Sequence, residues 1–103
     1  MIARSWSARA TPDGARAYVD YFRATLAPAL AQLPGYLGAS ILEGSRGGLV
    51  ELLVITRWRS LDAIRDFAGD DHELAVVEPE ARAVLVSFDE RVQHRAIVLD
   101  IAP

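Results

Sequence analysis

The stretch Leu49-Val-Glu-Leu-Leu-Val-Ile-Thr-Arg-Trp-Arg-Ser-Leu-Asp-Ala-Ile-Arg-Asp-Phe67 decides the fold. It begins as an apolar, β-branched run and changes at Ser60 to helical spacing. Apart from Glu51, residues 49–56 offer apolar side chains or threonine to both sides of a strand. A strand covered on both faces needs two layers, and a chain of 103 residues comfortably supplies one. A second copy of the chain is the simplest source of the other. The first expectation is therefore a dimeric sheet protein with an enclosed cavity.

Ser60 is positioned to cap a second helix, with Asp62 at the positive dipole end and Leu61, Ile64, Phe67 and Ala68 turned inward. Upstream, residues 36–43 read as a strand, and the glycine-rich residues 44–48 as its hairpin connection to residues 49–56. Residues 2–9 read as a first strand. Thr11-Pro12-Asp13-Gly14 then opens a helix: threonine as cap, proline at the first position and an acid in the first turn. Its apolar stripe is Ala15, Tyr18, Val19, Phe22, Leu26, Leu30 and Leu33, with Pro28 expected to loosen the last turns and Pro34-Gly35 to end it. Downstream, residues 69–73 form a polar break, residues 79–88 a further helical piece and residues 90–101 a last strand. The order is strand, helix, strand, strand, helix, strand, in one domain over residues 1–103. This is an α+β, ferredoxin-like split β-α-β pattern. Right-handed crossovers place both helices on one face of a four-stranded antiparallel sheet and leave the other face bare.

Composition narrows the function classes. A net charge of −3 offers no positive stripe to replace counterions, so nucleic acid is not the expected partner. All 11 basic residues are arginine, which removes Schiff-base lysine and P-loop chemistry. Cysteine is absent, and with it disulfides, thiolate nucleophiles and cysteine-ligated metals. No apolar run approaches the roughly twenty residues that cross a bilayer, so no membrane partner is expected and the cytoplasm is the expected location.

Residues 33–39 (Leu-Pro-Gly-Tyr-Leu-Gly-Ala), 51–58 (Glu-Leu-Leu-Val-Ile-Thr-Arg-Trp) and 60–67 (Ser-Leu-Asp-Ala-Ile-Arg-Asp-Phe) resemble the antibiotic biosynthesis monooxygenase domain, of the dimeric α+β barrel superfamily. The likeness covers roughly residues 1–98. It implies a homodimer whose two sheets meet as a barrel, with a ligand cleft between each sheet and its helices. It also implies a range of activities: oxygenation of aromatic polyketides without metal or flavin, degradation of haem, or none assigned. The haem-degrading branch uses an asparagine on the first strand, a tryptophan on the second helix and a histidine further on. This chain aligns Ser7, Phe67 and Val77 with them, which argues against haem degradation; a shifted loop would bring His72 to the third position.

His94 is the candidate base. Imidazole titrates near neutrality and can remove a phenolic or C–H proton, leaving an anion that reacts directly with oxygen. A last strand lying beside the first would put His94 near Arg4 and Trp6 or near Ser5 and Ser7. The competing reading is a partly buried structural histidine. Trp6, Trp58, Phe67, Arg4, Ser7 and Tyr36 are the candidate substrate-binding residues, with core packing the plainer role for the two tryptophans. Arg4, Arg57 and Arg59 on covered strands call for an acidic partner or a ligand carboxylate. Asp70, Asp71, His72 and Glu73 lack calcium-loop spacing and a distant ligand set, so a solvated loop is expected rather than a metal site. The leading expectation is a cofactor-independent monooxygenase acting on a small or medium aromatic or enolisable substrate. The alternatives are a non-catalytic ligand-binding or stress-related dimer, and an isomerase or cyclase on the same fold.

Overall fold

The computed structural model describes all 103 residues. Strand β1 (Ile2–Ala10) lies at the centre of an antiparallel sheet, with β3 (Leu49–Trp58) on one side and β2 (Tyr36–Arg46) beyond β3. On the other side β1 pairs with two short strands, β4 (Ser87–Phe88) and β5 (Gln93–Ala96). The β2-β3-β1 order with the C-terminal strands next to β1 is the ferredoxin-like arrangement, α+β in class.

Alternation sets the two faces. Arg4, Ala8 and Ala10 of β1 and Leu52, Val54, Thr56 and Trp58 of β3 are buried under the helices. Ser5, Ser7, Leu53 and Ile55 point to the bare face and are only half-buried. The β2–β3 hairpin is tighter than the five-residue connection the sequence suggested. Gly47 and Gly48 alone form the turn, at φ 57° and 83°, and the strands run up to Arg46 opposite Leu49. Two consecutive left-handed residues match the strand twist, and glycine adopts them at no steric cost.

Helix α1 (Pro12–Tyr21) is capped by Thr11, whose hydroxyl accepts from the Gly14 N–H at 3.0 Å. A π-helical turn (Phe22–Leu26) follows, then α2 (Ala27–Leu30). The wide turn lies just upstream of Pro28, which has no N–H to offer an α-helical ladder. The loosening expected at Pro28 is therefore taken up before it. Helix α3 (Leu61–Ala68) is capped by Ser60, which accepts from the Ala63 N–H at 3.2 Å.

The C-terminal third departs from the sequence reading. The expected helix over residues 79–88 shrinks to α4 (Pro79–Arg82). Residues 86–89 are instead sewn to β1, with the Val86 N–H donating to the Arg9 carbonyl at 2.7 Å and the Asp89 N–H to that of Ser7 at 3.0 Å. The expected strand over residues 90–101 is confined to β5. Before it, Glu90–Val92 turns to the loop after α3, where Ala75 donates to the Glu90 carbonyl and Val92 to that of Glu73, both at 2.8 Å. After it, the last link is from the Ile97 N–H to the Met1 carbonyl. No helix is long and apolar enough to cross a membrane.

Trp58, Leu30, Leu52 and Ile64 are the largest fully buried side chains. Trp58 is sandwiched in series: Tyr36 meets it edge-on at 5.4 Å, and Phe67 stacks on it at 5.6 Å with 24° between planes. Its indole N–H donates to Thr56 Oγ1 at 2.8 Å, so the buried polar atom is satisfied.

Candidate functional site

Between the sheet and its helices lies a narrow cleft with about 50 Å³ of free volume. β1 contributes Arg4 and Trp6, β3 Val54 and Thr56, the first helical segments Tyr18 and Phe22, and α3 Phe67. Ala75 and Val76 close it from the loop after α3. The walls are apolar apart from Arg4 and Thr56. Burial raises the Tyr18 phenol pKa, reinforced by Tyr21 and Glu78, so it stays protonated at neutral pH.

Arg4 is only 5% exposed. Its Nη1 donates to the His72 carbonyl and lies 3.0 Å from His94 Nε2, while Nη2 donates to the Leu74 carbonyl at 3.0 Å. The guanidinium carbon lies 5.6 Å from the centroid of the Phe67 ring. Burial lowers the Arg4 pKa to about 10, which still leaves it charged at neutrality. The acidic partner expected for a buried arginine is not there; backbone carbonyls and an imidazole take its place. Arg57 lies over Gly38 and reaches Ser40 at 3.3 Å, and Arg59 is exposed.

Strand register settles the position of His94. It stands directly opposite Arg4, on the helix-covered face with Trp6 rather than with Ser5 and Ser7. A guanidinium can only donate, so the facing Nε2 carries the lone pair and the neutral imidazole holds its proton on Nδ1. His72, read from the sequence as part of a solvated loop, stacks on it with ring centroids 5.5 Å apart. The His94 pKa is lowered, first by burial, then by Arg4 and His72, with Glu73 opposing. The native state thus resists protonating this group. Above its ordinary value near 6.5 it is neutral in both folded and unfolded chains and has no effect on stability. As pH falls between that value and the lowered native one, the unfolded chain binds the proton first and stability declines. Melting temperature measured from pH 7.5 to 5 should fall over this window, and His94→Gln should flatten that part of the curve.

The other sequence candidates divide. Arg4, Trp6 and Phe67 line the cleft, whereas His94 is not among the lining residues and meets the cleft only through its contact with Arg4. Trp58 is 0% exposed and lies behind Phe67, and Tyr36 lies behind Trp58, so neither reaches the cleft. Ser7 lies on the opposite sheet face, in a wider groove of about 380 Å³ shared with Ser5, Gln93 and Arg95. Tyr18, Phe22, Val54 and Thr56 were missed as site residues, because helical and strand periodicity marks a core face without distinguishing a cavity within it. Asp71 is held by Arg91 through two contacts of 3.2 Å, and no three histidine, aspartate or glutamate side chains converge on one point.

Fold and cleft together define an α+β protein of ferredoxin-like topology with a narrow, apolar, arginine-floored pocket between sheet and helices. The sequence profile described as antibiotic biosynthesis monooxygenase matches residues 1–79, and the chain belongs to that family. His94 lies beyond the matched residues. A Bacillus cereus protein assigned to the same family superposes with a TM-score of 0.71 at 16% identity, covering 100% of this chain and 96% of its own. The haem-degrading protein MhuD of Mycobacterium tuberculosis, with two haems in its active site, gives 0.62 at 24% identity, covering 99% and 100%. A Streptomyces coelicolor monooxygenase from the ActVA-Orf6 gene, in complex with nanaomycin D, gives 0.56 at 15% identity, covering 97% and 92%. Identities this low establish the shared fold alone. A comparison with curated protein sequences finds no match.

Proposed function

We propose that the protein is a monooxygenase that needs no bound metal or flavin and acts on a small or medium aromatic or enolisable substrate in the sheet–helix cleft. The observation that carries this reading is the Arg4–His94 pair, a neutral imidazole whose Nε2 lone pair faces Arg4, itself a lining residue of the apolar pocket. A substrate hydroxyl or acidic C–H takes Arg4's place at Nε2, and His94 accepts its proton. The guanidinium then faces the oxygen that has become anionic. The electron-rich anion supplies both electrons to oxygen: a C–O bond forms, and the peroxide takes back the proton held by His94 to become a hydroperoxide. Cleavage of its O–O bond with loss of the hydrogen on the same carbon releases water and leaves a carbonyl. Trp6 and Phe67 flank the ring. Nanaomycin D and haem, bound by the structural relatives, support an aromatic ligand. Against haem as the substrate stand Ser7, which faces away from the cleft, and Phe67 where the haem-degrading branch has tryptophan. The half-buried Leu53 and Ile55 on the bare face support a homodimer formed through that face.

The second reading, a non-catalytic ligand-binding dimer, is favoured by the small free volume of about 50 Å³. An isomerase or cyclase would use the same base without oxygen. Oxygen uptake by a panel of one- to three-ring hydroxylated aromatics separates the readings. His94→Ala is expected to lower turnover by about a hundredfold or more, the scale of a lost general base, while the protein stays folded. Full activity in that variant removes His94 from the reaction.

A further inference from the structure

The most unusual charge in the molecule is the one at Arg4. None of the chain's ion pairs includes it: Asp71 and Glu73 are taken by Arg91, and Asp89 by Arg9. Buried charges in folded proteins are ordinarily paired, because carbonyl dipoles repay only part of the lost hydration. A chain of net charge −3 has acids to spare and still leaves this cation without one.

A guanidinium has five N–H donors in a planar fork. Three are engaged, two from Nη1 and one from Nη2. The Nε–H and a second Nη2–H remain, on the two nitrogens that share the side edge of the fork. Every buried side-chain nitrogen or oxygen has a hydrogen-bond partner. The unpartnered Nε is therefore not completely enclosed, and Arg4 is one of the residues that line the cleft. The guanidinium carbon lies over the Phe67 ring, 5.6 Å from its centroid, and the free donors suit a group that meets a guanidinium along its edge, as a carboxylate or phenolate does.

We infer that the cleft selects single-ring ligands carrying an anionic oxygen, which sits on Nε and Nη2 of Arg4 while the ring packs against Trp6 and Phe67. The inference rests on the cleft being the ligand site. The free volume of about 50 Å³ lies below the roughly 150 Å³ of a cavity that takes benzene. One ring therefore already requires the cleft walls to part and several rings require more, while the apolar walls give the ring its share of the binding.

The test is to titrate benzoate and its neutral counterpart benzyl alcohol into the wild-type protein at pH 7.5, read by calorimetry and tryptophan fluorescence. Benzoate is expected to bind about ten- to a hundredfold more tightly, the range of a hydrogen bond to a charged group. Arg4→Met should abolish the preference, and Arg4→Lys, which keeps a point charge without the fork, should retain part of it. Circular dichroism and melting curves confirm that each variant is folded. Equal affinity for the two probes, no benzoate binding at millimolar concentration, or an unchanged preference in Arg4→Met would overturn the inference. His94→Ala should keep the benzoate preference. Absent oxygen uptake beside Arg4-dependent benzoate binding would defeat the oxygenase reading alone. Uptake with neutral phenols that survives in Arg4→Met would defeat this one alone.

Discussion

Trp58→Ala is expected to destabilise the fold by about 3–5 kcal/mol, the range for removing a large aromatic from a packed core. The side chain is 0% exposed and touches both Tyr36 and Phe67, so neither neighbour can close the gap without leaving the other. The Thr56 hydroxyl also loses its donor. Trp58→Phe keeps a ring between the two neighbours and removes only the indole N–H and part of the volume, so it should cost substantially less. Urea denaturation measures both. A loss below about 1 kcal/mol for the alanine variant would contradict the core role argued for this residue. The effect also reaches the site: Phe67 forms one cleft wall, and without the indole behind it that wall has no backing.

Gly14→Ala has the second large expected effect, with a sign opposite to the usual one. An alanine within a helix ordinarily improves on glycine by about 1 kcal/mol. Here a Cβ at residue 14 would lie 2.3 Å from the Val84 carbonyl oxygen. That atom is backbone and cannot rotate away, so the segment after α4 must shift off α1. Overpacking of this kind costs about 1–3 kcal/mol, enough to outweigh the helix gain. The displaced segment leads into Phe88, which packs against Trp6 at 6.0 Å between ring centroids. Altered Trp6 fluorescence should therefore accompany the lower urea midpoint. A stabilised variant would show that α1 and the residue-84 turn are not pressed together as described.

The N-terminal two thirds were legible because their signals are local. Thr11 and Ser60 cap the helices expected of them, and residues 2–9 and the β-branched run at residues 49–56 form the strands read there. The final third was not, because its conformation is set by distant partners. The β-branched Val84 and Val86 fit a helix poorly, but it is the Arg9 and Ser7 carbonyls that draw residues 86–89 to the sheet. The site followed the same division. Residue types made Arg4, Trp6, Phe67 and His94 candidates, and strand order brought His94 near the first strand. Which face it shares was a matter of register, fixed only by Arg4 standing opposite it. Trp58 is buried and Tyr36 half-buried, and neither lines the cleft, since depth behind Phe67 leaves no mark on sequence spacing. The backbone carbonyls of His72 and Leu74 that hold Arg4 could not be anticipated, because any residue supplies them.

The π-helical turn sets the length of one cleft wall. In an α-helix, side chains four residues apart drift by about 40° around the axis at each step. Tyr18, Phe22, Leu26 and Leu30 all border the cleft, although such drift would carry the last of them off it. The wide turn at Phe22–Leu26 uses more residues per revolution and winds the row back, so the four stay aligned. The wall is therefore tunable by chain length as well as by side-chain identity. Deleting one residue there would restore ordinary pitch and rotate Leu30 and everything beyond it, whereas substitutions in the same row change only what the wall is made of.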